Sequence, residues 1–484
     1  MILKEVIMKK ASVFVIALLA ILVPVFVSAE GAAEAKGAVP EIRIISKDFY
    51  PTDPDNLAHI ANIQTAFKAK TGLDVKLTLL NAPEGSYPEK LNLMLLSGDV
   101  PDIIYFQGGD ETISNQGMLA DLRPYAEKSE WFKKAMLPFN VKRLANYPYI
   151  VWLAPPRLNT PAIRSDWFAK WGGKVPNTVD DYYAMLKAFV ASDYDGNGKI
   201  DSIGLTDTGN TNRLDFLFNH AFGLTTTWLK DGSGKYVYSK ASEFEKNKLA
   251  FYQKLYKEGI LDKDYITTKW DGMEDKLYTA KIGMVVGTPG LVTDIYETKM
   301  AKAGKGDEYL VICPPAKGIA QGFTVDVSKE ARGYAISAAS KNKDLAWKIL
   351  DFMASDEGQT LDRLGIEGIH HVKKDGKVAL TEKFGSWYPR FSEVVGWKGP
   401  VDVLGKGGKE SLAMAVKYAT VEDINFVIPK DLAPAWDACN NVYKEWSFKF
   451  ISGEYGMDKF ADFTKAWYAA GGDKVTEYAN KTLK

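Results

Sequence analysis

The usual marks of catalysis are missing from this chain. It has no nucleophile elbow, no phosphate-binding P-loop, no HExxH zinc helix and no dinucleotide fingerprint. Histidine is scarce: His59, His220, His370 and His371 are all there is. The adjacent pair would point to opposite faces of an extended segment, which excludes joint metal ligation without a turn. Two cysteines, Cys313 and Cys439, are too few for a disulfide scaffold or a thiolate cluster. They can pair in an oxidising space or stay as two buried thiols. Excess charge is lacking as well, with Lys+Arg and Asp+Glu both at 61. No electrostatic case for nucleic acid or an anionic membrane arises.

Long apolar runs are equally rare. The one present, Ala11 to Val27, follows Lys9 and Lys10 and leads into Val27-Ser28-Ala29, the pattern of a secretory signal over residues 1–29. It is shorter than about 20 residues and contains Pro24, which argues against a spanning helix. Removing Lys4, Glu5, Lys9 and Lys10 with it leaves 58 basic against 60 acidic residues. No cysteine stands at the cleavage point, so no direct membrane anchor is expected. A soluble exported protein that stays near its cell points to a periplasm.

Aromatics are plentiful, with 12 Trp and 24 Tyr, more than a core needs. They raise the expectation of an aromatic-lined cleft. The mature chain of about 450 residues is too long for one core, so at least two domains are expected. After a small, charged lead-in over 30–40, the pattern repeats strand and helix. Ile42 to Ile45 reads as a strand, and Leu57, Ile60, Ala61 and Phe67 mark one face of a helix closed by Thr71-Gly72. Leu73 to Leu79 alternates as a second strand, a helix runs through Leu91 and Leu95, and Asp102 to Phe106 is a third strand. This is βαβαβ, hence an α/β sheet whose ligands sit beyond the carboxyl ends of strands. Lys47 to Tyr50 and Tyr105 to Gly109 therefore face the expected cleft.

Further on, Thr178 caps a helix from Asp180 to Val190 whose buried stripe is expected to be Tyr182, Tyr183, Leu186 and Phe189. Next comes DYDGNGKID, residues 193–201, which reads as a calcium loop. Asp193, Asp195, Asn197 and Asp201 supply side-chain oxygens, Lys199 its carbonyl, and Gly196 and Gly198 let the backbone curl around a hard cation. The alternative is a turn that binds nothing, since Asp, Asn and Gly also make tight turns. The loop departs from the EF-hand at its twelfth position, Gly204, where that motif has a glutamate. A structural role is expected.

The stretch WLAPPRLNTPAIRSDWFAKWGGKVPNTVDDYYAMLKAFVASDYDGNGKIDSIGL (Trp152 to Leu205), with LLSGDVPDII (Leu95 to Ile104) and AISAASKNKDLAWKILDFMASDEGQ (Ala335 to Gln359), resembles the extracellular solute-binding proteins that feed carbohydrate ABC importers. The similarity is greatest to the lipoprotein-like branch that contains the alginate-binding proteins. It implies an α/β periplasmic-binding-protein fold: two discontinuous lobes joined by a hinge, with the ligand cleft between them. The implied N-terminal lobe is 41–153 plus 317–365; the C-terminal lobe is 154–316 plus 366–484. Hinge crossings fall at Pro148–Pro161, Ile312–Ala316 and near Leu364–His371. The implied partners are an oligosaccharide and an ABC permease, with the chain a monomer and not an enzyme.

A sugar ring has apolar faces and a hydroxyl rim, so its binder combines flat aromatic rings with a few oriented polar groups. On that ground the candidate ligand contacts are Tyr105 at a strand end, Trp152 and Arg157 beside the first crossing, and Trp270 among polar neighbours. Glu367 and His370 lie near the third crossing, and Trp387, Arg390 and Trp397 in a loop-like aromatic run. The alternative function is an exported polysaccharide-active lyase or hydrolase, for which no specific motif exists, or a sugar-sensing binding protein.

Overall fold

The first strand is Glu41–Ile45, and Lys76–Leu79 and Ile103–Gln107 flank it as parallel neighbours. The computed structural model describes residues 39–483 apart from 83–86, 99, 155–157, 305, 307, 326–331, 392–396, 398 and 422–427. The expected signal 1–29 and Arg157 therefore lie outside the described residues. The connecting helix Pro54–Thr71 begins at Asp53, whose carboxylate accepts the Asp55 N–H, with Pro54 in the first turn where no N–H is needed. It ends at Gly72, whose φ of 72° lies in the left-handed region that glycine adopts without strain. Strand Arg332–Ile336 joins Ile103–Gln107 antiparallel, completing a four-stranded sheet. Ile44, Phe67, Ile103, Ile336 and Phe352 build its core.

A second four-stranded sheet runs in the order Ile203–Leu205, Ile282–Gly287, Thr160–Arg164, Leu310–Ile312. It has its own core of Trp167, Phe189, Tyr252 and Trp467. The helix expected from Asp180 is Val179–Ala191. Thr178 Oγ1 accepts the Asp181 N–H at 3.1 Å while the Asp181 carboxylate accepts the Thr178 N–H at 3.0 Å, a reciprocal cap. Among the described residues no helix is long and apolar enough to cross a membrane. The two cysteines are separate buried thiols, and burial pushes Cys313 up to about 12 and Cys439 to about 11.

The chain passes between the two cores at places that differ in part from expectation. Val151 exchanges backbone hydrogen bonds with Tyr334 of the first sheet at 2.9 and 2.8 Å, and Thr160 already belongs to the second. Ile312–Ala316 is not a crossing: Cys313 N–H donates to Pro161 O, and Ala316 N–H to Leu217 O, inside the second lobe. The strand Phe323–Val325 pairs with Ala419–Val421, and Phe323 packs with Leu158 and Ala415. Phe323–Val325 thus goes with the second lobe, whereas Arg332–Ile336 belongs to the first sheet. The third crossing comes later than Leu364–His371, because Phe391 still packs in the first core and the Trp387 ring lies 4.9 Å from His59. By Gly405, whose N–H donates to Asp294, the chain is in the second lobe.

Candidate functional site

Two neighbouring strands of the first sheet set four side chains side by side. Tyr105 lies opposite Tyr334 and Gln107 opposite Arg332 in the antiparallel register. Directly opposed residues in such a ladder are within contact range. The Val151–Tyr334 bridge then lays Trp152 across the same surface. This approach requires glycine at 333, where φ is 135° and a Cβ would run into the Val151 carbonyl. Asn140 Nδ2 donates to Trp152 O and Ala154 O, both at 3.0 Å, and fixes the segment. The rings of Tyr105, Trp152 and Tyr334 lie 5.2 to 6.1 Å apart, centroid to centroid.

A pocket open to solvent lies over this platform. Its walls are Ser46, Lys47 and Asp48 beyond the first strand, Tyr105 and Gln107 on the third, Trp152, Arg332, and Tyr388 to Arg390. The turn that brings in Lys47 and Asp48 needs a left-handed residue, and Asp48 takes it with φ 56°. Lys47 Nζ lies 3.9 Å from Asp48 Oδ2.

Arg390 enters from a segment held on both sides. Its N–H donates to Asp362 Oδ1 at 2.8 Å, and its carbonyl accepts the Tyr334 hydroxyl at 2.7 Å. Both partners are buried, Asp362 completely. Burial holds the Tyr334 hydroxyl far above its ordinary range, so it stays a donor. The guanidinium lies over Phe49 at 5.5 Å, Trp387 at 5.6 Å and Tyr388 at 6.0 Å. Tyr388 is 37% exposed whereas Trp387 is 5% and Phe391 4% exposed, an alternation that turns Tyr388 and Arg390 to the pocket and the other two inward.

Of the expected contacts, Tyr105, Trp152 and Arg390 meet at this pocket. Trp387 does not line it: its ring packs between His59 and His370, and its indole N–H donates to Asp362 O at 2.7 Å. His370 is buried behind it, accepting the Ile366 N–H on Nδ1, and burial lowers its pKa despite the neighbouring Asp55. Glu367 is exposed and pairs with Lys373 at 3.0 Å. Trp397 is half-buried, with its indole N–H on Val401 O. Trp270 stands in the second lobe, packed under the Arg213 guanidinium at 4.0 Å. Arg157 lies outside the described residues. Sequence reasoning passed over Arg332 and Tyr388; Tyr388 was visible in the Trp387–Phe391 alternation, whereas Arg332 carries no local signal.

The DYDGNGKID loop lies in the other lobe. Asp193 Oδ1 accepts the Gly196 and Asn197 N–H groups, and its Oδ2 the Gly198 N–H. Asn197 Nδ2 bridges Asp195 Oδ2 and Asp201 Oδ1 at 2.9 Å each, and Asn197 Oδ1 accepts the Lys199 N–H. Lys281, just before the strand Ile282–Gly287, places Nζ 2.7 Å from Asp195 Oδ2. Burial would raise the Asp195 carboxyl, but the Lys281 ammonium and the Asn197 N–H outweigh it and hold it below its usual range. The donor set is all oxygen, three carboxylates and an amide, which suits a hard cation. Its present arrangement is closed by internal hydrogen bonds, and among the described residues no three His, Cys, Asp or Glu side chains form a metal-holding group.

The family model for the bacterial extracellular solute-binding proteins matches residues 55–360. The lipoprotein LipO of Bacillus subtilis is 24% identical, with 93% of this chain and 94% of that protein covered. Among solved structures, the alginate-binding protein AlgQ2 without calcium ion superposes with a TM-score of 0.66 at 17% identity, covering 91% of this chain and 97% of that one. An EF-hand mutant of the Streptococcus pneumoniae ABC-transporter substrate-binding protein FusA, in complex with fructo-nystose, gives 0.61 at 18% identity over 92% and 98%. Both share the fold.

Proposed function

The chain belongs to the bacterial extracellular solute-binding proteins, and from that membership we propose that it captures an oligosaccharide and hands it to an ABC importer. The observation that carries this reading is the platform of Tyr105, Trp152 and Tyr388, rimmed by Lys47, Asp48, Gln107, Arg332 and Arg390 at the carboxyl ends of the first sheet's parallel strands. Flat rings take the apolar sugar faces, and the rim takes hydroxyls. The first lobe supplies this wall. The second lobe, with Trp270 as a candidate contact, closes over it about three crossings, and ligand touching both walls favours closure by its higher affinity for the closed state. The role is capture without turnover.

The loop at 193–201 takes calcium in this reading, with Asp193, Asp195, Asn197, Asp201 and the Lys199 carbonyl as ligands. When bound, the ion ties loop to strand and supplies no chemistry. Binding requires Lys281 to release Asp195 Oδ2, a residue-level exchange of one cation for another. The protein acts outside the cytoplasmic membrane, and we place it unanchored in a periplasm. LipO is by its name a lipoprotein, and detergent partitioning of the native chain distinguishes the two cases.

Thermal melting against an oligosaccharide panel, with calcium held constant, tests the function. A ligand at about 100 times its Kd adds roughly 2.7 kcal/mol, a shift of a few degrees. A shift with one sugar class and no cleavage products is expected. A shift accompanied by new reducing ends would instead make the protein an enzyme.

A further inference from the structure

We infer, resting on the capture reading, that the sugar held at this pocket is acidic, and that a uronate carboxylate sits on the Arg390 guanidinium. The pocket is lined by three cations, Lys47, Arg332 and Arg390, against one carboxylate, Asp48. Lys47 and Asp48 lie 3.9 Å apart and offset each other. Arg390 has no such neighbour: its side chain makes one long contact, Nη2 to Asn56 Oδ1 at 3.4 Å, and its Nε is buried without a hydrogen-bond partner. Among the described residues no carboxylate forms an ion pair with it.

The group is also held ready. Asp362 and Tyr334 fix the Arg390 backbone from both sides, and the Phe49, Trp387 and Tyr388 rings limit where the guanidinium can swing. When the cleft closes over a ligand, water leaves this surface. A neutral sugar would leave the guanidinium desolvated with hydroxyl dipoles alone, whereas a carboxylate accepts two parallel N–H bonds and cancels the charge. The rings of Trp152 and Tyr388 take the same uronate's apolar face, so aromatic and ionic contacts select together. Family membership does not set this charge, since alginate is acidic and fructo-nystose is neutral.

Calorimetric titration of the full chain decides it. The probes are uronate trisaccharides of galacto, manno, gulo and gluco configuration, their methyl esters, and the matching neutral trihexoses. At least one uronate should bind tenfold or more tighter than its own ester and neutral counterpart, and the gap should shrink as salt rises from 50 to 500 mM. Arg390→Gln should bring acid and ester within about threefold of each other, and Arg390→Lys should restore part of the gap. The wild-type acid-to-ester ratio stands even where a variant folds poorly. Esters or neutral sugars binding as tightly as the acids would overturn the inference and leave the capture reading intact. No binding by any of the three sets would overturn both.

Discussion

The pocket and the DYDGNGKID loop are built in opposite ways. The pocket draws on residues 46–48, 105, 107, 152, 332 and 388–390, brought together by sheet register and the Val151–Tyr334 bridge. The loop is one contiguous run whose carboxylates are organised by its own backbone N–H groups, with Lys281 reaching Asp195 and Lys170 the Tyr194 carbonyl from outside. A site assembled from afar depends on buried supports and fails when they fail. A local loop draws its shape from its own backbone, and under the calcium proposal its occupancy would turn on the exchange with Lys281.

The largest effect separating the two should come from Asp362→Ala. This fully buried carboxylate accepts the Arg390 and Phe391 N–H groups and lies 3.4 Å from His59 Nε2. Removing it should destabilise the fold by about 3 kcal/mol or more and abolish sugar binding, with chemical denaturation as the measurement. An unchanged midpoint would break the picture of a pocket hung on buried supports. Trp152→Ala comes next. It should weaken sugar binding by about 2 kcal/mol, roughly thirtyfold in Kd, while leaving the calcium response of the melt intact.

At the loop, chelator should lower the wild-type Tm by a few degrees, and Asp195→Asn should melt independently of calcium. Lys281→Met should raise calcium affinity several-fold, because the competing ammonium is gone, with no change in sugar affinity. Equal calcium affinity in Lys281→Met and wild type would remove the exchange from the account.

The smallest effect belongs to the second-lobe strands near the crossing. His220 Nε2 contacts Thr324 Oγ1 at 2.5 Å and Thr420 Oγ1 at 3.3 Å, and burial lowers its pKa to about 4. A depressed folded value means that the unfolded chain binds the proton first. Its contribution is present above about pH 6.5 and is lost as pH falls toward 4. Asp207 has the opposite sign: burial raises it to about 7, so it favours the fold as pH falls from 7 toward its unfolded value. The difference between wild type and His220→Gln isolates the histidine, with an expected flattening of order 1 kcal/mol after solvent screening between pH 6.5 and 4.

Much of this architecture was legible because its signals are local. The strand–helix repeat, Gly72 as a helix stop, the Thr178 cap and the segments after Ile45 and at Tyr105 all follow from short-range patterns that packing then reinforces. The crossings were less legible. Pro314-Pro315 looks like a turn between lobes, but buried hydrogen bonds hold it inside one. Aromatic density misled at Trp387, and nearness to the expected third crossing at His370, because both side chains build supports behind the pocket. The period-two alternation of Trp387 to Phe391 would have marked Trp387 as inward-facing. Arg332 is set in place by its register opposite Gln107, more than 200 residues away, and nothing near it in the chain announces that.

The most direct measurement is calorimetric titration of wild type and Trp152→Ala with the oligosaccharide that gives the largest melting shift. The account predicts one saturable site in the wild type and a Kd about thirtyfold weaker in the variant, with its unliganded melt preserved. Equal affinity in the two proteins would place the sugar elsewhere and contradict the assignment of this pocket.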